Sequence, residues 1–487
     1  MSDYLQDNLW AYLLLVNYLL AIIIAVTVLL KNDNPVKTLT YLFALATLPF
    51  LGLLVYYLFG IDHRKNKIFE KKYLTDNTRL KDWREQFGMT PDQQTDFEQR
   101  FGPGLYRVYQ LLHYNDRAVL TYENDVEILI NGEAKFPRLL EDLEKATDHI
   151  HLEYFVLFDD ATGLPIIDML CRKAREGVTV RVIYDDVGSK LSGSTKMRMT
   201  ECGVEHFPFM PVLFTRFTGK FNYRDHRKII VIDGITGYVG GINIRRKYDN
   251  SLSNPRFWRD THLRIRGPAT GSLQASFLLS WDFVSDDITS IQKNLFPDTK
   301  PDSQDPVAVQ IAASGPDSDY ANIMEALFTA INTAREYVYI TTPYMIPNAS
   351  IMTAMTTAAR SGVDVRVIIP YQSDSWAAQY ATDSYIESML RSGVRIFRYN
   401  KGFVHAKTLV MDDTFASIGT ANMDYRSFSI NFEINALLYS KTKAKQLKEV
   451  FLRDLEESEE VELERWEERG ISRKLQESLN RLWAPLL

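Results

Sequence analysis

The apolar positions of this chain are bunched at its start. From Leu9 to Leu30 the only strongly polar side chain is Asn17, and from Leu39 to Ile61 no charge occurs. Each run is about 20 residues long, enough to span a bilayer as an α-helix. A secretory signal would open on Lys or Arg and carry a shorter apolar stretch, whereas this N-terminus has Asp3 and Asp7. The segment Lys31–Lys37, with Pro35, reads as a polar turn. Residues 1–62 are therefore expected to form a two-helix transmembrane hairpin with spans over about 9–30 and 39–61, the second kinked at Pro49. Arg64, Lys65, Lys67, Lys71 and Lys72 follow the second span, against two lysines in the turn. By the positive-inside rule the rest of the chain is cytoplasmic. The same basic cluster is placed to meet anionic headgroups.

Residues 63–115 read as a basic and polar juxtamembrane linker. Beyond them the chain contains two similar passages. One runs from His149-Ile-His-Leu-Glu-Tyr-Phe through Arg175-Glu-Gly-Val-Thr-Val-Arg-Val-Ile-Tyr to Cys202-Gly-Val-Glu-His-Phe, and the other from Tyr337-Val-Tyr-Ile-Thr-Thr-Pro through Arg360-Ser-Gly-Val-Asp-Val-Arg-Val-Ile-Ile to Ser392-Gly-Val-Arg-Ile-Phe. Each reads strand, helix, strand, helix, strand. Helical spacing ends at Gly177 and Gly362, as at helix C-caps, and continuously apolar β-branched runs follow, as in buried strands. The expectation is an α/β architecture of two pseudo-symmetric halves, residues 116–300 and 301–487, the second ending in a helical tail. In that tail Ile471, Leu475, Leu479, Leu482 and Trp483 form a stripe expected to pack on the domain, and Glu459–Glu468 a solvated helix face.

Composition changes the picture little. The 487 residues exceed what one core accommodates, and 46% hydrophobic with 24% charged residues is ordinary. A net charge of -6 gives no bulk attraction to nucleic acid. Cys171 and Cys202 form no CxxC pattern and read as two small core residues, not as a disulfide framework or zinc site. His149 and His151 lie two apart on a strand without a third metal ligand in view.

The chemistry is concentrated in a pattern delivered once per half: His226-Arg-Lys228-Ile-Ile-Val-Ile-Asp233 and His405-Ala-Lys407-Thr-Leu-Val-Met-Asp412, each followed by a glycine and then Asn243 or Asn422. Each second-half residue stands 179 positions after its counterpart, as 226 and 405, 233 and 412, and 243 and 422 show. On a strand, residues two apart share a face, so each histidine lines one surface with its lysine. If the halves pack about a pseudo-twofold axis, two imidazoles and two ammonium groups converge on a point suited to a tetrahedral phosphate. One neutral imidazole attacks phosphorus to give a phosphohistidine; the other protonates the leaving alcohol and then deprotonates the incoming one. Lys228, Lys407, Asn243 and Asn422 are placed to stabilise the non-bridging oxygens, so neither metal nor other cofactor is expected. Asp260 and Glu433 are the candidate acceptors that orient the imidazoles. Asp233 and Asp412 are counted with the catalytic set as motif members, although at the far ends of their strands they are expected to hold local structure.

These residues resemble the duplicated HKD motif of the phospholipase D superfamily over roughly residues 120–440. Asn222-Tyr-Arg-Asp-His-Arg-Lys228, Phe257-Trp-Arg-Asp-Thr-His-Leu-Arg-Ile, Asn422-Met-Asp-Tyr-Arg-Ser427 and Asn431-Phe-Glu433 are similar to bacterial cardiolipin synthases, as is the N-terminal hairpin. The resemblance implies a multi-pass enzyme of the bacterial inner membrane that joins two phosphatidylglycerol molecules into cardiolipin and glycerol, both halves sharing one active site. It also implies His226 as nucleophile and His405 as acid/base. Phe207–Phe221, aromatic and basic, is a candidate entry for acyl chains. A lipid hydrolase, a phosphatidylserine synthase and, more remotely, a membrane-tethered nuclease remain open at this stage, with no nucleic acid expected as partner.

Overall fold

The computed structural model describes residues 8–30, 35–59, 81–87, 89–211, 223–285, 293–301 and 303–484. The basic cluster at 64–72, the start of the turn at 31–37 and most of the aromatic loop before His226 lie outside the described residues. The chain folds as two units, an N-terminal apolar one and a large α/β one.

In the first unit, Leu9–Leu30 is the one helix among the described residues long and apolar enough to cross a membrane. The second run does not form the single span expected over 39–61. It is divided into helices Pro35–Thr47 and Leu51–Phe59. Pro49 is the cause, since it lacks an N–H and its ring obstructs the preceding turn. Phe50 adopts a left-handed φ of 59°, and its backbone N–H donates to Asn17 Oδ1 at 2.8 Å. The lone polar side chain of the first helix thus satisfies an amide released by the break in the second, which in an apolar setting would otherwise be costly. A Cβ at Gly52 would stand 2.3 Å from the Ala44 carbonyl oxygen, so only glycine allows this turn to close.

The second unit is built on one fifteen-stranded sheet. In the first half β1 (Leu120–Ile130), β2 (His149–Tyr154), β3 (Thr179–Asp185), β4 (Glu205–Phe209), β5 (Lys228–Ile232), β6 (Thr236–Gly240) and β8 (Thr261–Arg266) run in the order β1-β8-β6-β5-β2-β3-β4; β7 (Phe257–Arg259) lies apart. The second half repeats this with β9 (Val307–Ser314), β10 (Tyr337–Thr341), β12 (Asp364–Pro370), β13 (Arg395–Tyr399), β15 (Thr408–Met411), β16 (Phe415–Gly419) and β18 (Glu433–Tyr439), in the order β9-β18-β16-β15-β10-β12-β13, with β19 (Ser458–Glu460) added at the outer edge and β11 (Met345–Ile346) paired with β17 (Met423–Asp424) apart from it. The halves join edge to edge where β1 pairs antiparallel with β9. An apolar cluster continues beneath the seam, with Ile229, Val231 and Leu263 from one half and Ile311, Val410 and Ile434 from the other. Helices Gly163–Arg175 and Ala349–Arg360 end as their glycines predict, Gly177 and Gly362 taking φ of 95° and 94°.

Three expectations are corrected here. Residues 63–115 are not a linker throughout, because Pro91–Asp116 is helical, with a kink at Gly102, and buries Phe97, Leu105, Val108 and Leu112 in the core of the second half. The C-terminal stripe does not pack inward. Helix Ile471–Arg481 docks through its polar side, by Arg469–Glu477 and Arg473–Asp383 ion pairs, and leaves Leu475 and Leu479 57% and 59% exposed. Cys171 and Cys202 are buried, but bonded to each other as a disulfide.

Candidate active site

Two short strand pairings cross between the halves. β14 (Gly402–Val404) runs parallel to β7, and the backbone N–H of His405 donates to the Arg259 carbonyl at 2.7 Å. On the other side Asp225 bridges Phe432, and the His226 N–H donates to the Phe432 carbonyl at 2.9 Å. In each pairing the next residue on the opposing segment is a carboxylate. Asp260 Oδ2 lies 2.7 Å from His405 Nδ1, and Glu433 Oε2 lies 2.9 Å from His226 Nδ1. The two expected orienters are thus brought to the two motif histidines, each from the half that does not contain its histidine.

With a carboxylate as acceptor, Nδ1 carries the proton and Nε2 presents its lone pair. Both rings are nearly enclosed, His226 at 9% and His405 at 7% exposure. Burial lowers the His226 pKa despite the attraction of Glu433. Burial and the Lys407 charge bring His405 down to about 3 against the pull of Asp260. Burial would raise Asp260 and Glu433, but their histidines hold both below the usual carboxylate range. The resting pair is therefore two neutral imidazoles backed by two carboxylates.

Lys228 and Lys407 are buried on either side. Each Nζ donates to the carbonyl of its own motif histidine, Lys407 to His405 at 2.6 Å, which fixes the ammonium beside the ring with further N–H bonds to give. Burial lowers Lys228 to about 7 and Lys407 to about 8, partly offset by Glu433 and Asp260. The Lys407 charge also lowers Lys228 across the halves. Between His226 and Lys228, Arg227 is held by Glu153 at 2.7 Å and Asp225 at 2.9 Å.

The remaining motif residues are placed differently from the two histidines and two lysines. Asp233 accepts from the backbone N–H groups of Thr147, Asp148 and His149 at 2.9 Å each, and Asp412 does the same for Arg335, Glu336 and Tyr337. This corrects their inclusion with the catalytic residues, because their carboxylates are spent on turn amides. Asn243 is also engaged: Oδ1 accepts from the Val156 N–H and Nδ2 donates to the Tyr248 hydroxyl. Asn422 lies against the Asp424 carboxylate. His149 and His151 are buried in the first half, the latter stacked on Phe277.

Sequence reasoning missed the aromatic wall of the site. Trp258, Tyr248 and Phe403 surround the His405 ring at centroid distances of 5.4, 5.6 and 5.9 Å, and Phe155 stands edge-on to His226 at 4.9 Å. Comparing the repeats hides Tyr248, because the equivalent position is Ser427.

The family described as "Cardiolipin synthase, PLD-like domain" matches residues 139–252 and 327–455, and that described as "Phospholipase_D-nuclease N-terminal" matches 19–60. Cardiolipin synthase 2 of Bacillus anthracis is 40% identical, over 96% of this chain and 90% of that protein. The major cardiolipin synthase ClsA of Bacillus subtilis (strain 168) is 38% identical, over 96% and 98%. Among solved structures, a phosphatidylserine synthase of Haemophilus influenzae Rd KW20 superposes with a TM-score of 0.58 at 15% identity, covering 79% of this chain and all of that one, which is a likeness of fold.

Proposed function

Since the chain belongs to the cardiolipin synthase family of the phospholipase D superfamily, we propose that it joins two phosphatidylglycerol molecules into cardiolipin and glycerol at one active site shared by its halves. The observation that carries this reading is the reciprocal holding of His226 by Glu433 and of His405 by Asp260.

In the proposed cycle the donor phosphate lies between the imidazoles, its non-bridging oxygens against Lys228 and Lys407. Its negative charge favours a proton on His405. The His226 Nε2 lone pair forms a bond to phosphorus as the P–O bond to glycerol breaks, and His405 gives its proton to the departing oxygen. His405, again neutral, takes the proton from a hydroxyl of the second phosphatidylglycerol, whose oxygen attacks phosphorus and releases His226. Glu433 and Asp260 keep each ring in one tautomer throughout. Asn243 acts by fixing Tyr248 and the Val156 amide, and Asn422 by positioning the second motif's loop. The two apolar runs form the membrane hairpin, and the basic cluster at 64–72 supports a cytoplasmic position for the catalytic part.

The test is to incubate the purified full-length protein with phosphatidylglycerol in detergent, chelator present, and to follow lipid products and glycerol. Cardiolipin with matching glycerol is expected. Phosphatidic acid alone would make the protein a hydrolase, and absence of reaction would overturn the substrate.

A further inference from the structure

A lipid acceptor brings a second charge into the site. Phosphatidylglycerol carries its own phosphodiester at the far end of the glycerol whose hydroxyl attacks, so a second anion must lie one glycerol bridge from the reacting phosphorus. Water and simple alcohols bring none.

The loop after Asn243 reads Ile244-Arg245-Arg246-Lys247-Tyr248. Arg246 is tied locally, its N–H to Asp160 and its guanidinium to the Ser253 carbonyl. Its neighbours are not. The Arg245 guanidinium lies 4.3 Å over the Phe158 ring, and Lys247 Nζ lies 4.1 Å from the Trp258 centroid and 5.2 Å from that of Tyr248. Trp258 and Tyr248 are two of the rings around His405, so this ammonium is separated from the imidazole by one aromatic layer. Lys247 is half-buried, and among the described residues no carboxylate pairs with it and no acceptor takes a hydrogen bond from it.

Burial lowers its pKa to about 8, against the raising field of Asp374 and with the Arg245 charge adding to the fall. The charge of Asp374 also raises the Lys407 pKa. Its carboxylate already accepts from the Tyr344 hydroxyl at 2.6 Å. The second half carries Asp424 and Arg426 at the matching positions, so the pair of cations belongs to the first half alone.

We propose that Lys247, with Arg245 beside it, binds the phosphate of the acceptor phosphatidylglycerol next to His405 and so selects a lipid alcohol over water or an uncharged alcohol. This rests on the reading of the reaction given above. A partly desolvated ammonium over aromatic faces gains more from an incoming anion than one in bulk water.

The experiment gives the full-length protein phosphatidylglycerol in detergent with ethanol as a competing acceptor, and measures the ratio of cardiolipin to phosphatidylethanol. That ratio does not depend on how much of a variant is folded. Lys247→Gln is expected to lower it about tenfold, the effect of losing one hydrogen bond to a charged group, and Lys247→Arg to restore most of it. An unchanged ratio in Lys247→Gln, or one that Lys247→Arg does not restore, would overturn the proposal. Wild-type protein that makes phosphatidylethanol but no cardiolipin would instead overturn the proposed reaction.

Discussion

Asp260 in the first half accepts a hydrogen bond from Nδ1 of His405 in the second at 2.7 Å, while a buried ring of aromatics closes around the imidazole. Replacing the carboxylate by an amide keeps the shape and removes the charge that fixes the tautomer. Asp260→Asn is expected to lower kcat on the order of 10²–10⁴-fold, with little change in unfolding temperature. Steady-state kinetics and a thermal melt on the same preparation check it, and near-wild-type turnover would remove Asp260 from the site.

The pH dependence of kcat/KM should be shifted toward acid on both limbs. Both histidines are lowered in the folded protein, so the proposed nucleophile, His226, stays deprotonated below its ordinary pKa near 6.5 and the acid limb lies below that value. The alkaline limb should fall between about 7 and 8, where Lys228 and Lys407 lose their charge. Stability should move the other way. An unfolded chain keeps these lysines protonated to about 10.4, so between the folded and unfolded values it binds more protons and their contribution to stability rises with pH. Rate profiles and melts from pH 5 to 10 would show the divergence.

Lys228→Met should abolish transfer yet raise the unfolding temperature. The substitution removes a fully buried cation whose burial is unfavourable and keeps its apolar stem, so a gain of about 1–3 kcal/mol is expected. A destabilised variant would mean that the hydrogen bond to the His226 carbonyl outweighs the cost of the charge.

Asp233 offers the opposite case. It sits at a left-handed φ of 53° and accepts from three backbone amides. Asp233→Ala is expected to cost about 2–4 kcal/mol of stability while the folded fraction keeps its specific activity. Asp233→Asn, which tolerates the same φ, should cost less. Denaturant titration with an active-site count separates the two effects.

Gly241 is fixed by the carboxylate below it. A Cβ there would stand 2.1 Å from Asp260 Oδ1, so Gly241→Ala should displace Asp260 and mimic the loss of its hydrogen bond to His405. Kinetics should resemble those of Asp260→Asn; an alanine variant of full activity would show that the carboxylate has room to shift.

Much of this was legible in the chain. The motif pairs were readable because strand periodicity puts His226 with Lys228, and the constant offset of 179 announces the duplication. Asp260 and Glu433 were readable as acidic residues downstream, but not which histidine each serves, because that is set by pairings between segments as distant as 225 with 432. The helix at 91–116 was misread because its outward positions are polar. The C-terminal stripe was misread because ion pairs, not apolar contact, dock that helix. The disulfide joins cysteines separated by 31 positions with no local signature.

The crossed pairing of β7 with β14 and of Asp225 with Phe432 has a consequence for how such a repeat can change over time. Copies of a duplicated segment are ordinarily free to diverge, one retaining the old task while the other drifts. Here each copy holds the carboxylate that faces the other's imidazole, so under the proposed mechanism a mutation that disarms one copy disarms both. A single copy liberated from its sister would have to find a second molecule of itself before it could do any chemistry.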